Sequence, residues 1–212
     1  MKKIYISSYR RQLLDKDLEA SRQYIKGIVL DIGGGTERGN FKHHNSNWIT
    51  LDRNGATKPD IIADAQHLPI KSGAINTVKC TEVIEYLENP NTAIEEMHRV
   101  LKPWGTVILS IPFNIGIHYD NDKVRFTRHG INKLVAGRFM PIVFKEQGMY
   151  FTVLCYMLKQ AILNIKSKAR WALYGTFPIL DLITMLDECD FVKDSKFMSS
   201  FTTGYFLVGV KL

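Results

Sequence analysis

The apolar run Ile28-Val29-Leu30-Asp31-Ile32 stops abruptly at Gly33-Gly34-Gly35, and no other feature restricts the fold of this chain as much. A run that is apolar without alternating reads as a strand covered on both faces, as parallel strands flanked by helices are. Glycines directly after such a strand permit positive φ and remove the Cβ atoms that would keep a ligand off the backbone. Further strands are predicted at Trp48–Leu51, Asp60–Ala63, Ile75–Lys79, Thr106–Ile111, Ile142–Phe144 and Tyr205–Val210. Between the fourth and fifth, Ala93, Ile94, Met97, Val100 and Leu101 fall on one stripe of a helix over about Asn91–Leu101,. Lys102-Pro103-Trp104-Gly105 supplies breaker residues after it, and Thr127 is placed to N-cap a helix from Arg128 to about Arg138,. Strands alternating with helices predict an α/β fold with a mostly parallel, seven-stranded sheet covered on both faces. In such sheets ligands sit beyond the carboxyl ends of the strands.

At 212 residues the chain is expected to form one domain over 1–212, with a helical N-terminal segment over 1–26,. Residues 149–190 read as a helical insertion before the last strand. Met149–Leu158 carries no charge, Trp171–Leu186 only Asp181, and Lys159, Lys166, Lys168 and Arg170 stand between them without an acidic neighbour. Two uses suit such a segment: lying in a membrane interface, or covering protein as a lid or dimer surface. The chain is therefore expected to be a monomer or homodimer, with peripheral membrane contact left open. Cys80, Cys155 and Cys189 lack metal-ligand spacing and read as reduced thiols of a cytoplasmic protein, with no metal site,. The N-terminal apolar stretch is too short for a signal peptide, and no run of 18 apolar residues predicts a membrane span. With 28 basic and 21 acidic residues the net charge is +7, compatible with several anionic partners and selecting none,.

Acids recur where strands end. Asp52 closes the second strand, 17 residues after Gly35, where a carboxylate can accept from both hydroxyls of a ribose,. Asp64 follows the third strand in Asp64-Ala65-Gln66-His67-Leu68-Pro69, and Cys80-Thr81-Glu82-Val83 follows the fourth. Singly, Asp31 and Asp52 are equally readable as loop caps; with the strand pattern they indicate a nucleoside site. Arg38 occupies the third glycine position of a dinucleotide fingerprint, which disfavours a nicotinamide-dependent oxidoreductase,.

Residues 28–112 resemble a class I S-adenosylmethionine-dependent methyltransferase, of the type 11 kind. The resemblance rests on V-L-D-I-G-G-G-T, L-D at Asp52, D-A-x-x-L-P, E-V-I-E-Y-L, and A-I-E-E-M-H-R-V-L-K-P-W-G-T leading to I-P-F. Glu37 and the Pro103-Trp104-Gly105 turn depart from the usual glycines. The resemblance implies S-adenosylmethionine as cofactor. It implies that Asp31 and the backbone of Gly33, Gly34 and Gly35 face the methionine part. Asp52 would hold the ribose, Asp64 with the Ala65 amide would read the adenine, and Gln66 would line that pocket. Thr81 and Glu82 would border the acceptor's entry.

A hydroxyl acceptor needs a general base. His118, in the loop after the fifth strand, titrates near neutrality and is the candidate, with Glu82 as a second catalytic candidate,. Arg125-Phe126-Thr127-Arg128-His129-Gly130 and the closing Phe201–Val210 segment resemble a subgroup associated with polysaccharide and glycolipid assembly. Arg125 and Arg128 then either bind an anionic acceptor or pair with Asp120 or Asp122 to hold the loop,. The function expected is O-methylation of a glycan, a lipid-linked acceptor or another small molecule. The alternative is a non-catalytic, cofactor-binding component of a membrane-associated complex. Nucleic acid is disfavoured, since Cys80-Thr81-Glu82-Val83 stands where a base-methylating N-P-P-Y segment would.

Overall fold

The computed structural model describes residues 9–34, 47–117, 120–168 and 170–212. Its strands are β1 (Val29–Ile32), β2 (Trp48–Asp52), β3 (Ile61–Ile62), β4 (Ile75–Thr81), β5 (Leu101–Pro112), β6 (Phe139–Glu146) and β7 (Gly204–Lys211). They form one sheet in the order β3-β2-β1-β4-β5-β7-β6. The β1–β2, β1–β4, β2–β3 and β4–β5 pairings are all parallel, in keeping with the non-alternating apolar run of β1,. Strand order reverses between β1 and β4, so the tips of these two strands flank the crevice in which sheets of this kind hold ligands.

The helices are α1 (Tyr9–Ala20), α2 (Pro90–Val100), α3 (Arg128–Val135), α4 (Tyr150–Asn164), α5 (Arg170–Leu173), α6 (Phe177–Thr184) and α7 (Asp190–Lys193). The chain folds as two compact units. One gathers Asp15–Phe113, Ile117–Lys145 and Tyr205–Leu212; the other gathers Met1–Leu14, Asn114–Gly116 and Glu146–Gly204.

The first unit carries the sheet. Its core runs from Leu30 and Ile32 on β1 through Val78 and Cys80 on β4 to Val107 and Leu109 on β5. On α2, Ala93, Ile94, Met97 and Val100 are all buried in this core. Each large side chain of this stripe contributes about 1.5–3 kcal/mol through burial. Asn89 caps α2 by accepting from the Thr92 amide, and Pro90 occupies its first turn, where a missing N–H is harmless,. Thr127 caps α3 by accepting from the Gly130 amide at 3.2 Å, as its position in the sequence predicts.

Among the boundaries that differ from the sequence reading, two have a clear local cause. The helix from Arg128 ends at Val135, because Gly137 takes φ +71 and turns the chain away. The strand expected from Thr106 begins at Leu101, directly after α2. Ile75 pairs with Leu101 and Thr77 with Thr106, so Lys102-Pro103-Trp104-Gly105 is an irregularity within β5 rather than a linker before it. Trp104, at φ +61, is its apex,.

In the second unit, α4 and α6 share a small core of Cys155, Phe177 and Leu180. The start of α4 has no local side-chain cap. Instead, the buried Asp187 carboxylate accepts from the amides of Met149 (2.8 Å), Phe151 (2.9 Å) and Thr152 (3.0 Å). A distant acid therefore satisfies the open end of the helix and complements its dipole. The helical character expected for 149–190 extends to Lys193 through α7.

Candidate functional site

A cavity of about 430 Å³ opens at the tips of β1, β2, β3 and β4, wholly within the sheet-bearing unit. Each tip contributes through a different local device.

At β1, Gly33 has φ +75 and donates its amide to the Leu51 carbonyl at 2.7 Å. A Cβ there would fall 2.2 Å from Val83 Cγ2, and one on Gly34 would fall 2.7 Å from the Asp31 carboxyl carbon. Side chains are excluded at both positions, and Gly33 presents bare backbone at the cavity wall,.

At β2, Asp52 lines the cavity and its Oδ1 accepts from the Asn54 amide at 2.8 Å. Its Oδ2 takes no hydrogen bond from the described residues, so half of the carboxylate remains able to accept. Asn54 in turn accepts from the Ala56 amide, which folds the 54–57 turn beside it.

At β3, the Ala63 amide donates to the Asp52 carbonyl, joining the two acidic tips. Asp64 Oδ1 accepts from the Gln66 amide at 2.8 Å, a local Asx arrangement,. The Gln66 side chain donates back to Asp64 and accepts from the Asn89 amide at 2.7 Å. Partial burial by itself would raise the Asp64 carboxyl. The Gln66 donors, with the charges of Arg53 and His67, outweigh it and hold the group below its usual value,. The loop is braced from α2. Glu96 accepts from the Leu68 amide, and Arg99 donates to the carbonyls of Leu68 and Ile70. Hydrogen bonding from Arg99 is the main reason the Glu96 carboxyl is lowered.

At β4, Glu82 adopts φ +58, unusual for a residue with a side chain,. Two bonds to the fully buried Ser110 of β5 hold it there. The Glu82 amide donates to the Ser110 carbonyl at 3.0 Å, and the Ser110 hydroxyl donates to Glu82 Oε1 at 2.7 Å. Left-handed backbone at a cavity wall is strain held by its surroundings, a feature that gathers at functional sites.

Of the residues singled out from sequence, Gly33, Asp52, Asp64, Ala65, Gln66 and Glu82 line this cavity. Asp31 does not. Its buried carboxylate is paired with Lys79 Nζ at 2.8 Å, one strand away. Neither Gly34 nor Thr81 lines the cavity wall. Arg125 holds Asp122 through both terminal guanidinium nitrogens, the Nη2–Oδ2 contact being 2.5 Å. The Arg128 guanidinium sits 4.5 Å from the centre of the Phe144 ring. Neither arginine lines the cavity. Gly35 and His118 lie outside the described residues.

The wall also includes Arg53, Asn54, Tyr86, Leu87, Glu88 and Asn121, which spacing arguments do not select. Arg53 and Asn54 directly follow Asp52, and Tyr86 and Leu87 end the E-V-I-E-Y-L segment, so strand-tip adjacency was the available signal. Asn121, in the loop after β5, left none.

Residues 43–109 match a methyltransferase-domain family. Among curated proteins, the ubiquinone/menaquinone biosynthesis C-methyltransferase UbiE of Neisseria meningitidis is 33% identical over 100 residues, covering 38% of this chain and 41% of that protein. The chain spans about half the length, or less, of the curated relatives it matches. Two solved structures share the fold over nearly the whole chain. A SAM-dependent methyltransferase from Archaeoglobus fulgidus aligns with a TM-score of 0.60 at 16% identity, covering 95% of this chain and 94% of that one. The geranyl diphosphate C-methyltransferase of Streptomyces coelicolor A3(2), solved with S-adenosyl-L-homocysteine, aligns with 0.58 at 13% identity, covering 100% and 86%. Fold and matched segment agree: the chain has the Rossmann-like methyltransferase fold, and residues 43–109 within it match the methyltransferase-domain family.

Proposed function

We propose that the chain transfers a methyl group from S-adenosylmethionine to an oxygen of a glycan, a glycolipid or another small-molecule acceptor. The observation that carries the cofactor reading is the meeting of Asp52 and Asp64 in one cavity with the Cβ-free bend at Gly33. The fit is chemical. Asp52 offers ribose hydroxyls a carboxylate oxygen that has no partner among the described residues, and Asp64, its carboxyl lowered by the Gln66 donors, offers an acceptor for an adenine amino group,. The Ala65 amide and the Gln66 side chain complete that end, and the open backbone at Gly33 admits the methionine part,.

When bound, the cofactor supplies an activated methyl on a sulfonium, so the chain needs no nucleophile of its own. What the chain provides is alignment, shielding and a place for the proton. Glu82, pinned by Ser110, borders the end of the cavity assigned to the acceptor. In this reading His118 takes the acceptor's proton as the new carbon–oxygen bond forms. The resemblance of the Arg125–Gly130 and Phe201–Val210 segments to enzymes of polysaccharide and glycolipid assembly supports the acceptor class. A carbon acceptor is the competing reading, because the Neisseria relative and the Streptomyces neighbour are both named C-methyltransferases.

Calorimetry with S-adenosylmethionine and S-adenosylhomocysteine tests the first part. Binding is expected, and its absence at millimolar ligand overturns the reading. Incubation with a metabolite extract and labelled cofactor, followed by mass fragmentation of the product, tests the second. Label on a sugar or hydroxyl oxygen is expected, and label on carbon selects the competing reading. His118→Ala is expected to lower turnover while leaving cofactor affinity in place; unchanged turnover removes it as the base.

A further inference from the structure

We propose that α4 and α6, with the basic segment between them, form a docking surface for an anionic lipid bilayer. The inference goes beyond the methyl-transfer reading and rests on the helical unit alone.

The burial pattern of α6 is the starting point. Phe177, Leu180 and Thr184 face inward, and the opposite stripe of Ile179, Leu182 and Met185 is exposed, Leu182 at 65%. A helix with one wet face ordinarily carries polar residues there. The second helix repeats the anomaly. On α4, Val153, Cys155 and Tyr156 are buried, while Leu154, Met157 and Leu158 are exposed. The two helices pack through Cys155, Phe177 and Leu180, so each spends one apolar face on the other and retains a second. Apolar surface of this extent on a soluble domain marks a contact site.

Charge identifies the occupant. Lys159 and Asp181 are the only ionisable residues of α4 and α6 with a full charge, and they pair with each other, so neither stripe holds an unpaired charge. Between the helices stand Lys166, Lys168 and Arg170, none in an ion pair among the described residues. Trp171 follows, 61% exposed, with Arg170 5.4 Å from its ring centre. Asp187, the acid nearest in sequence to the end of α6, is turned inward onto the start of α4. Apolar stripes beside unpaired cations and an exposed tryptophan match the boundary of an anionic membrane. Leucine and methionine enter the acyl region, lysine and arginine reach the phosphates, and tryptophan sits between. A second copy of the chain would bring the same cations to the contact and, from these stripes, no unpaired acid to meet them. No helix among the described residues is long and apolar enough to cross a membrane, so the helices would lie on the surface.

The test is co-sedimentation of the full chain with vesicles of phosphatidylcholine alone and of phosphatidylcholine with phosphatidylglycerol. Binding is expected only with phosphatidylglycerol present and is expected to weaken as salt rises. The triple change Lys166→Glu, Lys168→Glu, Arg170→Glu is expected to reduce partitioning by on the order of a hundredfold. Ile179→Ser with Leu182→Ser is expected to reduce it at least about tenfold. These positions are exposed, and unchanged thermal unfolding and S-adenosylhomocysteine binding would show that each variant is folded. Absence of binding to both vesicles overturns the proposal, as does equal binding to both that ignores the charge reversal. A concentration-dependent dimer lost in the Ile179, Leu182 variant, without vesicle binding, overturns it in favour of self-association.

Discussion

Lys79 of β4 and Asp31 of β1 stand opposite each other in register, with Nζ 2.8 Å from Oδ1 and both side chains nearly out of solvent. The glycine bend begins two residues after Asp31, at Gly33, which lines the cavity. Gly34 packs so closely on Asp31 that no side chain fits between them. The pair ties the two strands at whose tips the order of the sheet reverses.

Lys79→Met removes one partner and leaves a buried carboxylate uncompensated. A loss of about 3–5 kcal/mol in unfolding free energy is expected from urea titration. Lys79→Met combined with Asp31→Leu removes both charges and is expected to recover most of it. A double variant no better than the single would show that the pair is not the source.

Asp52 makes one local bond to Asn54 and lies at the surface of the fold. Asp52→Ala is therefore expected to leave the melting temperature nearly unchanged and to weaken S-adenosylhomocysteine binding by about ten- to a hundredfold, the worth of hydrogen bonds to a charged group. Undiminished affinity by calorimetry would place the ribose elsewhere.

Asp64 and Glu96 both have folded-state carboxyls below their usual values of 3.8 and 4.5. A lowered acid contributes stability that is fully present above the unfolded value and is lost as pH falls through the folded one. Stability is thus expected to decline below about pH 4.5, and Asp64→Asn with Glu96→Gln is expected to flatten that decline. Urea midpoints taken at descending pH check it; parallel curves for variant and parent would remove these two acids as contributors.

Asp187 serves three amides at the start of α4. Asp187→Ala is expected to destabilise the helical unit by about 2 kcal/mol. Hydrogen exchange should show faster exchange across α4 with little change in β1 and β4. Uniform loss of protection over the whole chain would contradict a local role.

How far the sequence was readable varies with the kind of signal. The apolar run before Gly33 announced its strand because burial on both faces leaves no reason for alternation,. Thr127 and the Ala93–Val100 stripe announced α3 and α2 for equally local reasons. Asp52, Asp64 and Glu82 were legible as cavity-lining candidates because each stands at or just beyond the end of its strand. Arg125 was ambiguous between binding an anion and holding a loop, and the fold gives it Asp122 three residues away. Asp31 shows the opposite case, since its motif position says nothing of Lys79, 48 residues on.

By itself, then, the order of residues determined the strands, the helical stripes and the acids at the strand ends, since periodicity and turn chemistry act over a few neighbours. Tertiary structure alone decided which of those acids share a cavity, that Asp31 is neutralised from β4, that Ser110 pins Glu82, and that Asp187 caps α4 from 38 residues away. Those relationships depend on strand order and packing, which bring distant residues to within hydrogen-bond reach and leave no trace in local sequence.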